Sequence, residues 1–299
     1  MGQDFVIQVL QNSLKLNRLH QAYLFSGTRG TGKTSLARIF ARAIRCENPK
    51  NSEPCNVCSS CQSQLLDMSV DILEIDGASN NGVDSIREIR DNAQFLPSTG
   101  SKKIYIIDEV HMLSASAFNA LLKVLEEPPP HVIFLFATTE IQKVPETILS
   151  RCLQLDLKKI PVSTIQSRIH FIADEEKITI SPSASALIAE NAFGSMRDAL
   201  SSLDQVAAFA GMHIEEEHVE QILGIVPKLL LTKLLHSIAR HEKESFEELI
   251  QTINEKCYDP RNFLNQFLLL LREKIIDLDQ DPSLSPEQIQ FYFDLTIDH

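Results

Sequence analysis

Residues able to do chemistry fall into a few tight groups in this 299-residue chain. One is Gly27-Thr28-Arg29-Gly30-Thr31-Gly32-Lys33-Thr34, followed by Ser35, which fills the pattern G-x-x-x-x-G-K-[ST] at every position. Glycines let a backbone wrap tightly and turn its N–H groups inward. A helix beginning there adds the positive end of its dipole. Lys33 then supplies a point charge for the β- and γ-phosphates of ATP, and the Thr34 hydroxyl a ligand for Mg²⁺, which takes oxygen donors. The bland alternative is a chance glycine turn. Against it stand the apolar run before the motif and the helical pattern after it.

A second group is Ile104-Tyr105-Ile106-Ile107-Asp108-Glu109, an apolar run that delivers two acids at its end. In phosphate-loop enzymes the Mg²⁺-holding aspartate emerges at such a place. Asp108 suits that role, and Glu109 is then placed to orient or deprotonate an attacking water. By itself the pair could equally be a solvated acidic turn. The intact glycine loop upstream favours the chemical reading.

The third group is Cys46, Cys55, Cys58 and Cys61, four of the six cysteines. Closely spaced thiolates can share one tetrahedral Zn²⁺. Buried free thiols or a redox pair are the alternatives, and so short a polar stretch makes the first a poor one. Four ligands leave no open position, so the expected zinc is structural. Cys152 and Cys257 stand alone and read as small core residues.

These groups need elements to hold them. Ala22–Ser26, Ile72–Ile75, Ile104–Ile107, Val132–Ala137 and Leu153–Leu157 read as strands, and Lys33–Ile44, Gly82–Asn92 and Ser114–Glu127 as helices, the last stopped by Pro128-Pro129-Pro130. Alternation of near-continuous apolar strands with helices predicts a parallel sheet covered on both faces. Beyond Ile160 strands are expected to vanish. Helical patterns take over, punctuated by Gly194 and Gly211 and continuing through Leu229–Leu235, Phe246–Ile253 and Phe263–Ile275.

Bulk properties set limits. Hydrophobic residues are 43% and charged residues 23%, ordinary for a globular chain. A net charge of −12 argues against a surface that binds polyanions as a whole, so any DNA contact must be local. No apolar run reaches the ~20 residues of a membrane helix. The first residues lack a signal-peptide pattern, and a cytoplasmic location is expected.

Several runs together resemble the gamma/tau subunit family of bacterial DNA polymerase III, a clamp-loader branch of the AAA+ ATPases. They are His20 to Gly30, Asp108 to Leu113, Phe118 to Lys123, Leu125 to Pro129, Ser150-Arg151-Cys152 and Gly194 to Leu200, with the cysteine spacing. The resemblance covers about residues 2–275. It implies an α/β AAA+ core with a five-stranded parallel sheet (1–159, zinc-binding insertion 46–61), a small helical lid (160–211) and an all-α collar (212–299). It further implies Thr139 as the polar sensor at the end of the fourth strand. Arg151 becomes an arginine finger acting in trans on a neighbour's ATP, and Arg197 a second sensor on the chain's own nucleotide. Without the resemblance both arginines would read as ordinary surface residues.

The implied partners are other clamp-loader subunits (delta, delta-prime and further gamma/tau copies), the sliding clamp, and primed DNA held within the ring. The family pattern also implies a basic, aromatic segment ahead of Gly2-Gln3, part of it against the adenine, and a long extension beyond the collar. On that pattern the collar here is expected to be incomplete. Two other readings compete with an ATP-hydrolysing motor: a non-hydrolysing scaffold of the same ring, comparable to delta-prime, and a different AAA+ DNA machine such as a branch-migration motor.

Overall fold

The computed structural model describes residues 2–65, 69–240, 242–255 and 260–277. They form two units, one from residues up to 167 together with 192–199, the other from 168–191 and from 200 onward. Each is taken by itself.

The first unit runs α1 (Asp4–Lys15), β1 (Ala22–Ser26), α2 (Lys33–Arg45), α3 (Ser59–Leu65), β2 (Ile72–Asp76), α4 (Val83–Ala93), β3 (Lys103–Asp108), α5 (Ala115–Glu126), β4 (Val132–Thr138), α6 (Glu146–Leu149), β5 (Leu153–Asp156) and the start of α7 (Val162–Glu175). The five strands make one parallel sheet in the order β2-β3-β4-β1-β5. All seven residues of the central β4 are buried, as are all five of its neighbour β1. That is why these segments are unbroken apolar runs, since a strand covered on both faces has no polar side to show. The edge strand β2 carries Glu74 and Asp76 and is only partly covered.

Successive strand residues feed opposite layers. Leu24, Tyr105, Ile107, Phe134 and Phe136 pack with Ile86 and Ile89 of α4 and Phe118 and Leu121 of α5. Tyr23, Phe25, Ile104, Ile106, Ile133 and Leu135 pack with Val6 and Leu10 of α1 and Ala37 and Phe40 of α2. Replacing a side chain such as Leu121 by alanine removes about 2–5 kcal/mol. Local signals set the helix limits. Ser114 caps α5, its Oγ accepting from the Ala117 amide at 3.2 Å, and Glu127 stands between the last turn and Pro128. The structure adds α1, and α3 inside the cysteine insertion, to the expected elements.

The second unit continues α7 and adds β6 (Thr179–Ile180), α8 (Pro182–Asn191), most of α9 (Met196–Ala210), β7 (His213–Ile214), α10 (Glu216–Leu223), α11 (Lys228–Ala239), α12 (Lys243–Glu255) and α13 (Pro260–Asp277). The expectation that strands vanish after Ile160 is corrected by β6 and β7, which pair in parallel. Two-residue strands are too short to show a period. Val226, Leu231, Leu235, Leu270 and Leu271 form an apolar cluster among α11, α13 and the loop before them. Cys257, read as a core residue, and the chain beyond residue 277 lie outside the described residues. Among the described residues no single helix is long and apolar enough to cross a membrane.

Candidate nucleotide site and candidate metal centre

The sheet topology brings the first two chemical groups together. β1 and β4 run in register from Ala22 opposite Phe134 to Ser26 opposite Thr138, and β3 lies on the other side of β4. The loop after Ser26, the acids after Ile107 and the polar residues after Ala137 therefore leave the sheet side by side at its carboxyl edge. Crevices at that edge are where open parallel sheets hold ligands.

The loop has the conformation its glycines permit. Gly27, Gly30 and Gly32 have φ of 144°, 75° and 99°. A Cβ at Gly27 would strike the Leu157 carbonyl, and one at Gly30 would collide with Ser195 Oγ. Gly32 then leads directly into α2. Thr31 is buried, its hydroxyl donating to the Thr28 carbonyl at 2.8 Å. Lys33 Nζ lies across the loop and donates to the carbonyls of Gly27 and Thr28, both at 3.0 Å. Thr34 Oγ1 donates to Asp108 Oδ2 at 2.7 Å, joining residues 74 positions apart.

Arg29, Gly30, Gly32, Lys33, Thr34, Ser35, Asp108, Glu109 and Arg197 line one cleft. Arg197 reaches it because residues 192–199 belong with the sheet, and the Met196 amide donates to the Gly30 carbonyl at 3.0 Å. Burial lowers the Lys33 pKa. Glu109 and Asp108 oppose that shift, and Arg197 adds to it. A polyanion set between Lys33 and Arg197 relieves both the burial and the repulsion, which is the electrostatic fit expected for phosphates. Thr34 and Asp108 offer adjacent hard oxygens of the kind Mg²⁺ prefers.

Glu109 sits in the left-handed region, φ 45° and ψ 48°, which is uncommon for a residue with a Cβ. Thr139 holds its Oε2 with the backbone amide at 3.2 Å and Oγ1 at 2.9 Å. Arg151 is in a different place. Its guanidinium bonds Thr147 O at 2.8 Å and Glu126 Oε1 at 3.0 Å, on the surface of the unit. The structure thus joins Thr139 to Glu109 and Arg197 to the cleft, and sets Arg151 among other residues.

Sequence reading missed two contributors. Gly77 presses its backbone against the carbonyls of Asp108 and Glu109, where a Cβ would come within 2.8 Å of both oxygens. Its amide also donates to Asp108 O at 2.8 Å. A glycine directly after a strand was the available signal. Ser195, which fills the space above Gly30, lies in the run Gly194 to Leu200 that carries the family resemblance, with no role of its own read from it.

The cysteine insertion is a separate construction. One ligand atom from each of Cys46, Cys55, Cys58 and Cys61 lies within 4.8 Å of the others. A tetrahedral site with metal–sulfur bonds near 2.3 Å asks for sulfurs roughly 3.8 Å apart, so the set fits with small adjustment. Amides already point at sulfur: Cys55 N to Cys46 Sγ and Cys58 N to Cys55 Sγ, each 3.3 Å. The amides of Val57 and Cys58 pull the Cys55 thiol down to about 6, while burial pushes Cys61 up to about 12. Cys152 packs against the core, and burial raises its thiol to about 12, as suits an inert core residue.

Known proteins resemble this chain over most of its length. A family profile described as "DNA polymerase III, delta subunit" matches residues 2–161, and one described as "DNA polymerase III clamp loader subunit, ATPase lid domain" matches 164–212. The chain is 46% identical over 279 residues to DNA polymerase III subunit tau of Bacillus subtilis strain 168, covering 92% of this chain and 49% of that protein. It is 46% identical over 271 residues to subunit tau of Escherichia coli K12, covering 91% and 42%. To subunit gamma of Buchnera aphidicola subsp. Baizongia pistaciae it is 39% identical over 273 residues, covering 91% and 74%. The chain therefore spans about half the length of the tau relatives and most of the gamma one. Among solved structures, the Thermotoga maritima RuvB Holliday junction branch migration motor superposes with a TM-score of 0.56 at 19% identity, over 81% of this chain and 78% of that one, a likeness of fold alone. With its α/β P-loop fold of the AAA+ type and these relatives, the chain belongs to the gamma/tau subunit family of DNA polymerase III clamp loaders.

Proposed function

We propose that this chain is an ATP-hydrolysing subunit of a bacterial clamp-loader ring, and that the ring places the sliding clamp on primed DNA during replication. The observation that carries the proposal is the Thr34–Asp108 hydrogen bond beneath Lys33. One hydroxyl and one carboxylate oxygen meet there, beside the glycine loop and the two cations Lys33 and Arg197. Mg²⁺ bound between Thr34 and Asp108 would neutralise charge developing on the phosphates. Lys33 and the amides of residues 27–35 would bind the triphosphate, and Glu109 would take the proton of the attacking water. Arg197 would sense the chain's own nucleotide and Thr139 would fix Glu109. Arg151, on the surface, would serve a neighbouring subunit's ATP.

The same proposal assigns residues 1–159 to the ATPase core, 160–211 to the lid and 212–299 to the collar that joins delta, delta-prime and further gamma/tau subunits. Zn²⁺ in the 46–61 insertion would supply folding free energy and no chemistry. The setting is cytoplasmic. The scaffold reading has the delta-type profile match in its favour. Retention of Lys33, Thr34, Asp108 and Glu109 in bonded positions supports the motor instead.

Hydrolysis of ATP by the assembled ring, with clamp and primed DNA, decides between them. Lys33→Ala should lower the rate contributed by these subunits by roughly 10²–10³-fold, the scale of losing one charge-stabilising donor. Equal rates in the two assemblies would leave only a scaffold.

A further inference from the structure

The residue that follows the acids by two positions has no place in the reading above, yet it is bonded into the site. Glu109 opens a 3₁₀ turn, Val110–Met112, closed by the Met112 amide on Glu109 O at 2.9 Å. The tight turn swings His111 inward, where its side chain is 5% exposed. Nδ1 stands 3.0 Å from Thr138 Oγ1 and 3.3 Å from Glu109 Oε2, while Nε2 stands 3.3 Å from Glu140 Oε1. Glu140 is itself paired with Lys143 at 2.9 Å.

The pattern of contacts on Glu109 is uneven. Its Oε2 faces the Thr139 amide, the Thr139 hydroxyl and His111 Nδ1. Its Oε1 accepts no hydrogen bond among the described residues. A carboxylate held by one oxygen through converging donors keeps a single orientation, and the other oxygen stays available as an acceptor. Holding it matters here because the Glu109 backbone already sits in a strained region. A group about one ångström out of place loses much of what a general base contributes.

We propose that His111 is a positioning residue for Glu109. Its Nδ1, hydrogen-bonded to Thr138 Oγ1, stands beside Oε2 where Thr139 donates and keeps Oε1 turned to the attacking water, a clamp on the carboxylate, while its Nε2 lies 3.3 Å from Glu140 on the segment that leads to Arg151. The proposal rests on Glu109 being the base of the ATPase reaction. Thr138, the last residue of β4, hydrogen-bonds His111, the next residue Thr139 hydrogen-bonds Glu109, and Glu140 after it lies 3.3 Å from His111 Nε2. The clamp therefore joins the strand that leads toward the trans arginine to the acid of the chain's own site.

The test uses the full chain in its clamp-loader assembly, with MgATP, clamp and primed DNA. His111→Ala should lower the hydrolysis rate roughly tenfold, the scale of a general base held slightly out of place. ATP affinity by calorimetry should stay within about twofold, as expected when ground-state binding is untouched. Asparagine places its amide nitrogen near the Nδ1 position and glutamine near Nε2. His111→Asn should then recover most of the rate and His111→Gln should stay close to alanine. In a Glu109→Gln background His111→Ala should cost nothing further.

Equal rates for the Asn and Gln variants, or a loss of ATP affinity that matches the loss of rate, would overturn the clamp. If His111→Ala fails to fold, judged by its circular dichroism melt, the Asn-against-Gln comparison decides alone. A wild-type rate in Glu109→Gln would sink the base reading, and the clamp with it. A wild-type rate in His111→Ala beside an inactive Glu109→Gln would sink the clamp only.

Discussion

The glycine cradle and the cysteine insertion begin at opposite ends of one helix, α2, and are built on opposite principles. Lys33 opens the helix and Cys46 follows its last residue. The insertion gathers its four sulfurs from 16 consecutive positions, so its geometry is local. The cradle needs Thr34 to meet Asp108 and Gly30 to meet Met196, contacts that exist only once the sheet has formed. A local site can be organised by the ion it binds, whereas a site assembled across strands must be organised beforehand by a core. Arg45, the last residue of α2, ties the insertion's end of the helix to the sheet. Its guanidinium pairs with Asp71 at 2.9 Å, with both side chains almost fully buried, and also bonds Thr99 Oγ1 and the Lys102 carbonyl. One buried ion pair thus fastens the end of α2 to the starts of β2 and β3, just before the chain leaves for the insertion.

The largest expected effect tests the local side of this contrast. In zinc-finger peptides metal binding is worth ~10–16 kcal/mol and is one event with folding. Cys58→Ser should therefore abolish zinc measured by atomic absorption and expose the amides of residues 46–65 to hydrogen exchange. The β-sheet amides should keep their protection and hydrolysis should continue. Loss of sheet protection together with zinc would break the contrast, because the insertion would then be part of the core.

The next effect tests the shared anchor. Asp71→Asn leaves Arg45 buried without its counter-charge and should lower the unfolding free energy by about 3–5 kcal/mol in denaturant titrations. Burial by itself raises the Asp71 carboxyl, but the Ser98 and Thr99 amides, Arg45 and the Thr99 hydroxyl more than reverse it, so it titrates below the usual range. A depressed carboxylate stabilises the fold above its unfolded pKa of about 3.9 and loses that contribution as pH falls through its folded value. Wild-type stability should accordingly fall steeply below about pH 4, and the Asn variant less steeply. Parallel pH profiles would show that the pair is not the anchor.

The smallest effect sharpens the boundary between the two sites. Ser114 caps α5, and Ser114→Ala should cost about 1 kcal/mol of stability. Zinc content and the rate per folded subunit should not change. A change in rate beyond the loss of folded protein would mean that the α5 terminus positions Glu109, a coupling the present contacts do not require.

The glycine loop, the acid pair and the cysteine spacing were legible because each is a short motif with a local mechanism. The strands were legible because burial on both faces leaves unbroken apolar runs, and the short β6–β7 pair was not, since two residues carry no periodicity. Thr139 and Arg197 were named through family resemblance alone, for nothing local marks a threonine after a strand or an arginine at a helix start. Gly77 had no signal strong enough to set it apart, and Ser195 and His111 lay inside runs that resemble the family without a role assigned to either. Their roles depend on which carbonyl, glycine or carboxylate the fold places against them.

Residue order by itself therefore determined the chemical groups of this protein: a glycine loop of the G-x-x-x-x-G-K-[ST] pattern, a carboxylate pair and four thiols, along with the strands and helices that carry them. Those properties follow from bonded neighbours and from periodicities only a few residues long. Tertiary structure alone decided the contacts these groups make, namely Thr34 with Asp108, Glu109 with Thr139 and His111, and Arg197 with the loop. The strand-borne pairings are fixed by parallel strand register and the Arg197 contact, about 170 positions away, by the Met196 amide on the Gly30 carbonyl, neither of which a short stretch of sequence encodes.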